Sequence, residues 1–150
     1  MKDGKNEIAL KRLNLAKRYL ENAKEDLKKA KVDRKVGIYI DIKYISKASG
    51  TAYLSALEAL KALFINYKIL DEKEMKEKLN KVEMYDYYLK KVSQIGKDRD
   101  VLLKLFDEVY KILHLGGYYR ELQDKKSIDS GFEKAQKIIK IVESYVKNVI

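Results

Sequence analysis

An all-α fold, an up-and-down bundle of four to five helices around a central helix at about residues 41–70, follows from three observations. The 150-residue chain contains no Pro and only seven Gly, so helix breakers are nearly absent. Apolar residues recur at alternating steps of three and four along most of its length, the period of a helix face. One stretch, Thr51 to Leu70 (TAYLSALEALKALFINYKIL), is too apolar to face water on any broad side.

On a helical projection that stretch places Ala52, Ala56, Ala59, Leu60, Leu63, Phe64 and Tyr67 on one wide face. Leu54, Ala62, Ile65 and Ile69 carry the apolar surface round the other side, leaving a narrow charged edge at Lys61 and Lys68. Such a helix must be covered on two or three sides. The whole chain, 1–150, is read as one helical-bundle domain, long enough to bury roughly 70% of its unfolded surface.

The first helix is expected from about 6 to 31, with Asn6 as N-cap and a seam of Ala9, Leu13, Ala16, Leu20, Ala23, Leu27 and Ala30. Ile8, Leu15 and Tyr19 widen that stripe, which favours an intramolecular seam over a dimeric coiled coil. Asp33 to Gly37 breaks the pattern. Ile38 to Tyr44 (IYIDIKY) then alternates as a strand would, but no second strand is evident to pair with it. The reading is therefore a helix start at Asp41, its carboxylate capping and Ile40 and Ile45 forming a staple across the cap. Gly50, inside this helix, implies close contact with another backbone.

Asp71 with Glu74 reads as a capping box. Met75, Leu79, Val82, Leu89 and Val92 continue a stripe to Gly96, with a break allowed near Asn80. Tyr85, Tyr87 and Tyr88 point to different sides, so at least one should reach solvent or a polar neighbour. Asp98 or Asp100 is expected to cap the next helix, whose inner face is Leu102, Leu105, Val109, Ile112 and Leu113 and whose end is Gly116-Gly117. Ser127 or Asp129 opens the last helix, with a second seam at Phe132, Ala135, Ile139, Val142, Val146 and Val149. The two seams most economically face the same central helix.

Composition removes several kinds of chemistry. With no Cys there are no disulfides, thiolate metal sites or cysteine nucleophiles, and one His cannot build a multi-histidine metal site. No metal or cofactor is expected. No apolar run is long enough to span a bilayer, so the expectation is a soluble cytoplasmic protein with no membrane partner. The net charge of +10 is uneven: residues 1–36 carry twelve basic and six acidic side chains, residues 125–150 six and three. Packed side by side, the terminal helices could offer a basic face to a polyanion. The competing reading is a solvated, Lys/Glu-rich surface of the kind also found in heat-adapted proteins.

His114 lies in LHLGGYYR with Tyr118, Tyr119 and Arg120 just beyond it. A histidine in the last turn of a helix is favoured by the dipole and can bond a free carbonyl. The functional reading is a pocket in which imidazole, phenols and guanidinium hold a phosphate or a base. No Gly-rich phosphate loop is present. Glu58 projects between Leu54, Ala62 and Ile65 and needs a partner. Lys61 at i+3 is preferred to a group across the bundle such as His114 or a tyrosine, and Glu58 is kept as a support for the His114 pocket.

The segments GIYIDIKYISKASGTAYLSALEALKALF, LHLGGYYR and SGFEKAQKII resemble a family of small bacterial proteins known as a domain of unknown function, over roughly residues 8–145. Its D-x-K-Y, G-T-A-Y and L-H-L-x-G-Y-Y elements add Asp41, Lys43, Tyr44 and Tyr53 to the candidate binding residues. The resemblance implies an all-helical fold without assigned activity. More distantly, the Ala/Tyr-rich helix is similar to HEPN domains, which include ribonucleases and non-catalytic nucleotide-binding or partner-binding modules. The nucleases place an Arg before the His with four to six residues between. Here that window holds Asp107, Glu108 and Val109, so the pair cannot be carried over and no catalytic residue is assigned.

The sequence thus supports a non-enzymatic, HEPN-like binding module whose partner is a nucleotide, a nucleic acid, a protein or a second copy in a homodimer. The alternative is an RNA-directed enzyme with a non-standard site around His114.

Overall fold

The computed structural model describes residues 4–147, with side chains described from Glu7 onward. Among them are six α-helices: α1 (Gly4–Lys29), α2 (Ile42–Asn66), α3 (Glu72–Lys78), α4 (Val82–Leu89), α5 (Asp98–Val109) and α6 (Lys125–Val146). A 3-10 turn at Ser93–Ile95 precedes α5, and a wider π-helical segment, Tyr110–Tyr119, continues α5. A two-stranded ribbon, β1 (Val32–Asp33) and β2 (Ile38–Tyr39), joins α1 to α2. The all-α class expected from the sequence is the one observed.

Helix α2 is the centre of the bundle. It packs against α1, α6, the π segment, α4 and α5, and 14 of its 25 residues are buried. Its Ala48, Ala52, Ala56, Ala59 and Ala62 are fully enclosed. Small side chains on one helix allow a neighbour's ridge to come close, and α1 brings a complementary Ala edge: Ala9, Ala16 and Ala23 are inaccessible, with Leu13 and Leu20 filling the flanks. The α6 seam is buried at Phe132, Ala135, Ile139, Val142 and Val146, joined by Ile128 and Ile138; Val149 lies outside the described residues. Both terminal seams therefore meet α2, and the buried residues form one hydrophobic cluster.

Several local expectations hold. Asp71 and Glu74 complete both halves of the capping box. The stripe breaks between α3 and α4, around Asn80. Of the three tyrosines, Tyr85 is buried against Phe64 and Phe106 while Tyr87 is exposed.

Others are corrected. Helix α1 is already formed at Gly4, so Asn6 lies inside it rather than at its cap, and its side chain lies outside the described residues. A second strand does exist: Val32 pairs with Tyr39 and Asp33 with Ile38. Two residues per strand leave too little alternation to read from sequence. Asp41 stands at the α2 N-cap position without a side-chain cap bond, and Ile40 is exposed rather than stapled. Leu54, expected to be covered, is also exposed. Lys97, not Asp98 or Asp100, precedes α5; Asp98 instead accepts a hydrogen bond from the Tyr145 hydroxyl. Gly116-Gly117 does not end the helix, which runs through both in π geometry. Asp124, not Ser127 or Asp129, caps α6 by accepting from the Ser127 amide at 3.0 Å.

Helix α2 also stops at Asn66, four residues short of the expected Leu70. The Ile69 amide donates to Phe64 O at 2.8 Å and the Lys68 amide to Ile65 O at 3.1 Å, with Lys68 left-handed at φ 58°. This is a Schellman closure with lysine where glycine is usual. A left-handed L-residue costs about 1–2 kcal/mol, and glycine recovers that against about 0.4–1 kcal/mol of extra unfolded-state entropy. Lys68→Gly should therefore raise the unfolding free energy by about 0.5–1 kcal/mol, read as a higher urea midpoint at unchanged slope.

Candidate functional site

The site begins with two close approaches. A Cβ at Gly117 would lie 2.1 Å from Ser49 Oγ and 2.5 Å from Ser49 Cβ, so only glycine lets the π segment settle on α2 there. Gly50, expected to face a backbone, instead faces a ring: a Cβ there would be 3.0 Å from Tyr118 Cδ1. The Ser46 hydroxyl donates to Tyr118 O at 3.2 Å, holding the end of the segment.

This seating collects the rings. His114 stacks on Tyr53 of α2 at 4.5 Å and 27°, and on Tyr110, one turn earlier, at 5.3 Å. Tyr118 lies 6.0 Å away and nearly parallel at 11°, while Tyr119 meets the imidazole edge-on at 5.0 Å. Tyr53 itself stacks on Phe106, so the array is continuous with the core. Beside it opens a groove of about 470 Å³ lined by Lys47, Gly50, Thr51, Tyr53, Leu54, His114, Tyr118 and Tyr119. Its volume falls within the roughly 300–1,000 Å³ typical of ligand pockets.

Burial lowers the His114 pKa below its ordinary 6.5, leaving the imidazole neutral at pH 7. Burial, reinforced by Tyr85, Tyr110 and Asp86, pushes the Tyr53 phenol upward, so it remains a donor rather than a base. Among the described residues no carboxylate bonds His114. The dipole-and-carbonyl role considered for a helix-ending histidine does not arise, because the helix continues past it.

Of the predicted site residues, the structure brings together Tyr53, His114, Tyr118 and Tyr119. Arg120 is exposed just beyond the segment, where its amide closes the last turn onto Leu115 and Gly116 carbonyls. Asp41, Lys43 and Tyr44 belong to the start of α2 and do not line the groove; Tyr44 packs on the core. Glu58 is elsewhere too. It takes Lys61 at 3.2 Å, as expected, and also Arg12 of α1 at 2.9 Å, whose other nitrogen reaches Glu72 at 3.0 Å. Lys47, Thr51 and Leu54 were missed. Their spacing with Gly50 on one helix face was the available signal.

The terminal helices do pack side by side, but their facing lysines are partly neutralised. Glu143 receives both Lys17 and Lys147, and Lys24 bonds Gln136. Among the described residues there is no cluster of metal-ligating side chains and no helix long and apolar enough to cross a membrane.

Fold and site together define a small all-helical protein built round a central helix, with an aromatic groove along one flank. The chain belongs to the family described as domain of unknown function DUF5618, whose model matches residues 11–144. It is similar to a solved structure described as a protein of unknown function from Dyadobacter fermentans, with 32% identity over 91% of this chain and 96% of that one and a TM-score of 0.68. No curated protein matches it.

Two outcomes follow from the packing. Gly117→Ala should cost about 1–3 kcal/mol through overpacking, and adding Ser49→Gly should cost less than the sum of the two changes, measured by urea denaturation. For His114, the unfolded state binds a proton near pH 6.5 and the folded state only below that. Its contribution is therefore complete above pH 6.5 and is lost as pH falls through the folded pKa. Unfolding free energy measured across this window should decline more in the wild type than in His114→Gln, and the imidazole NMR titration should have its midpoint below 6.5.

Proposed function

We propose that the protein is a non-enzymatic binding module whose ring-lined groove takes the base of a nucleotide. The observation that carries this reading is the half-finished ring array. Tyr53, Tyr110 and His114 are stacked inward, while Tyr118 and Tyr119, 47% and 66% exposed, leave aromatic surface facing the groove and solvent. A planar base adds to such a stack whatever its identity. Lys47 lines the same groove, its side chain 65% exposed and its ammonium 3.6 Å from Asp26 of α1. It is placed to meet phosphate.

The company of His114 favours binding over an RNA-directed enzyme. General acid-base work requires a proton partner within hydrogen-bond reach, and the neighbours of this imidazole are phenol rings, of which Tyr53 holds its proton tightly.

Calorimetric titration with adenosine, AMP and ATP tests the reading. Tyr119→Ala should weaken all three by about 5-fold to 150-fold, the equivalent of roughly 1–3 kcal/mol of base stacking. Lys47→Ala should weaken ATP more than adenosine. Absence of binding at millimolar nucleotide, or an unchanged Kd in Tyr119→Ala, would overturn it. RNA cleavage that disappears in His114→Ala would establish the enzyme instead.

A further inference from the structure

At the end of the bundle where α1 turns into α2, the strand-like alternation of IYIDIKY has a consequence separate from the groove. In the β1–β2 ribbon Tyr39 points inward, 5% exposed, with its hydroxyl on Asp129. Its neighbour Ile40, whose amide bonds Lys31 O at 2.6 Å, points outward and is 48% exposed. Val36, in the turn, is 67% exposed, more than any other large apolar side chain among the described residues. Neither β-branched side chain contributes to the buried core.

The turn is held firmly in this position. Tyr39 N donates to Gln123 O at 2.9 Å, Gln123 Nε2 donates back to Tyr39 O at 2.9 Å, and Lys125 N donates to Gly37 O at 2.9 Å. These bonds bring the first turn of α6 beside the ribbon. The exposed cations Lys31, Arg34, Lys35, Lys43 and Lys126 are thereby gathered at one end, and none of the five forms an ion pair among the described residues. Five carboxylates share this end and keep their charge: Asp33 accepts from the Lys35 and Val36 amides at 3.0 and 3.3 Å, Asp124 caps α6, Asp129 takes Lys125 and the Tyr39 hydroxyl, and Asp41 and Glu121 lie nearby. The positive excess is carried by residues 28–43, with six basic and two acidic side chains.

We propose that this ribbon end docks the protein reversibly on an anionic lipid surface, with Val36 and Ile40 entering the interfacial layer and the five cations meeting the headgroups. Charge alone would serve any polyanion. Two branched aliphatic side chains held outward offer nothing to a phosphodiester chain, whereas the headgroup and acyl boundary of a bilayer receives them. Each cation near such a surface strengthens partitioning about fivefold. The expectation of no membrane partner rested on the lack of a spanning segment, which peripheral docking does not need.

Co-sedimentation of the full chain with vesicles tests the proposal, using phosphatidylcholine alone and phosphatidylcholine mixed with phosphatidylserine. The protein should bind the mixed vesicles at low salt, release at high salt, and ignore pure phosphatidylcholine. Val36→Ser with Ile40→Ser removes apolar surface without changing charge and should weaken binding about tenfold. Arg34→Ala and Lys35→Ala should each weaken it about fivefold. All these positions are exposed, so an unchanged helical circular-dichroism spectrum is the folding control. Failure to sediment with anionic vesicles at low salt would overturn the proposal. So would wild-type binding by the double serine variant, which would reduce the ribbon end to a general polyanion patch.

Discussion

How closely other helices can approach α2 decides the architecture. Five alanines and Ser49 on α2 are fully buried, and opposite them lie the alanine edge of α1 and Gly117 of the π segment. Small side chains remove little apolar surface individually, so their value is geometric. They allow close helix approach, and Leu13, Leu20, Leu60, Leu63 and Phe64, all buried, then fill the flanks.

Close approach needs a device to fix register, since an alanine seam can slide. An ion pair supplies one. Arg12 on Glu58 holds α1 antiparallel to α2, the weaker approach of Lys47 to Asp26 at 3.6 Å agrees with that register several turns away, and the second arm of Arg12 ties in α3 through Glu72. A buried carboxylate such as Glu58 contributes little net stability once desolvation is counted, but removing one partner leaves a costly charge. The arrangement is better understood as alignment than as strength.

The same spacing makes the groove. With Gly117 seated on Ser49 and Gly50 beneath Tyr118, the π segment stands close enough for His114 to stack on Tyr53. π-helical turns are uncommon and often mark functional positions. Here one carries Tyr110, His114, Tyr118 and Tyr119 on a rigid continuation of α5, so the rings are presented by the scaffold rather than by a loose loop.

Much of this was legible in the chain itself. Seams at steps of three and four, the Asp71–Glu74 box and the break near Asn80 depend on residues within a turn or two of one another, and local sequence determines them. Four of the nine candidate binding residues, Tyr53, His114, Tyr118 and Tyr119, share the groove. The rest turned on distant partners. Glu58 found Arg12 46 positions away, Ile38 found both Asp33 and Asp124, and of the glycines at 116 and 117, ordinary helix-stop signals that the helix runs through, Gly117 is seated against Ser49 of α2 while Gly116 packs on Leu122. Sequence by itself determined which faces are apolar and roughly where the helices lie, with one start, the Asp71–Glu74 box, fixed locally. Tertiary structure alone decided which of those faces touch, because that choice minimises voids and unpaired charge over the whole molecule, and no local window contains both sides of such a contact.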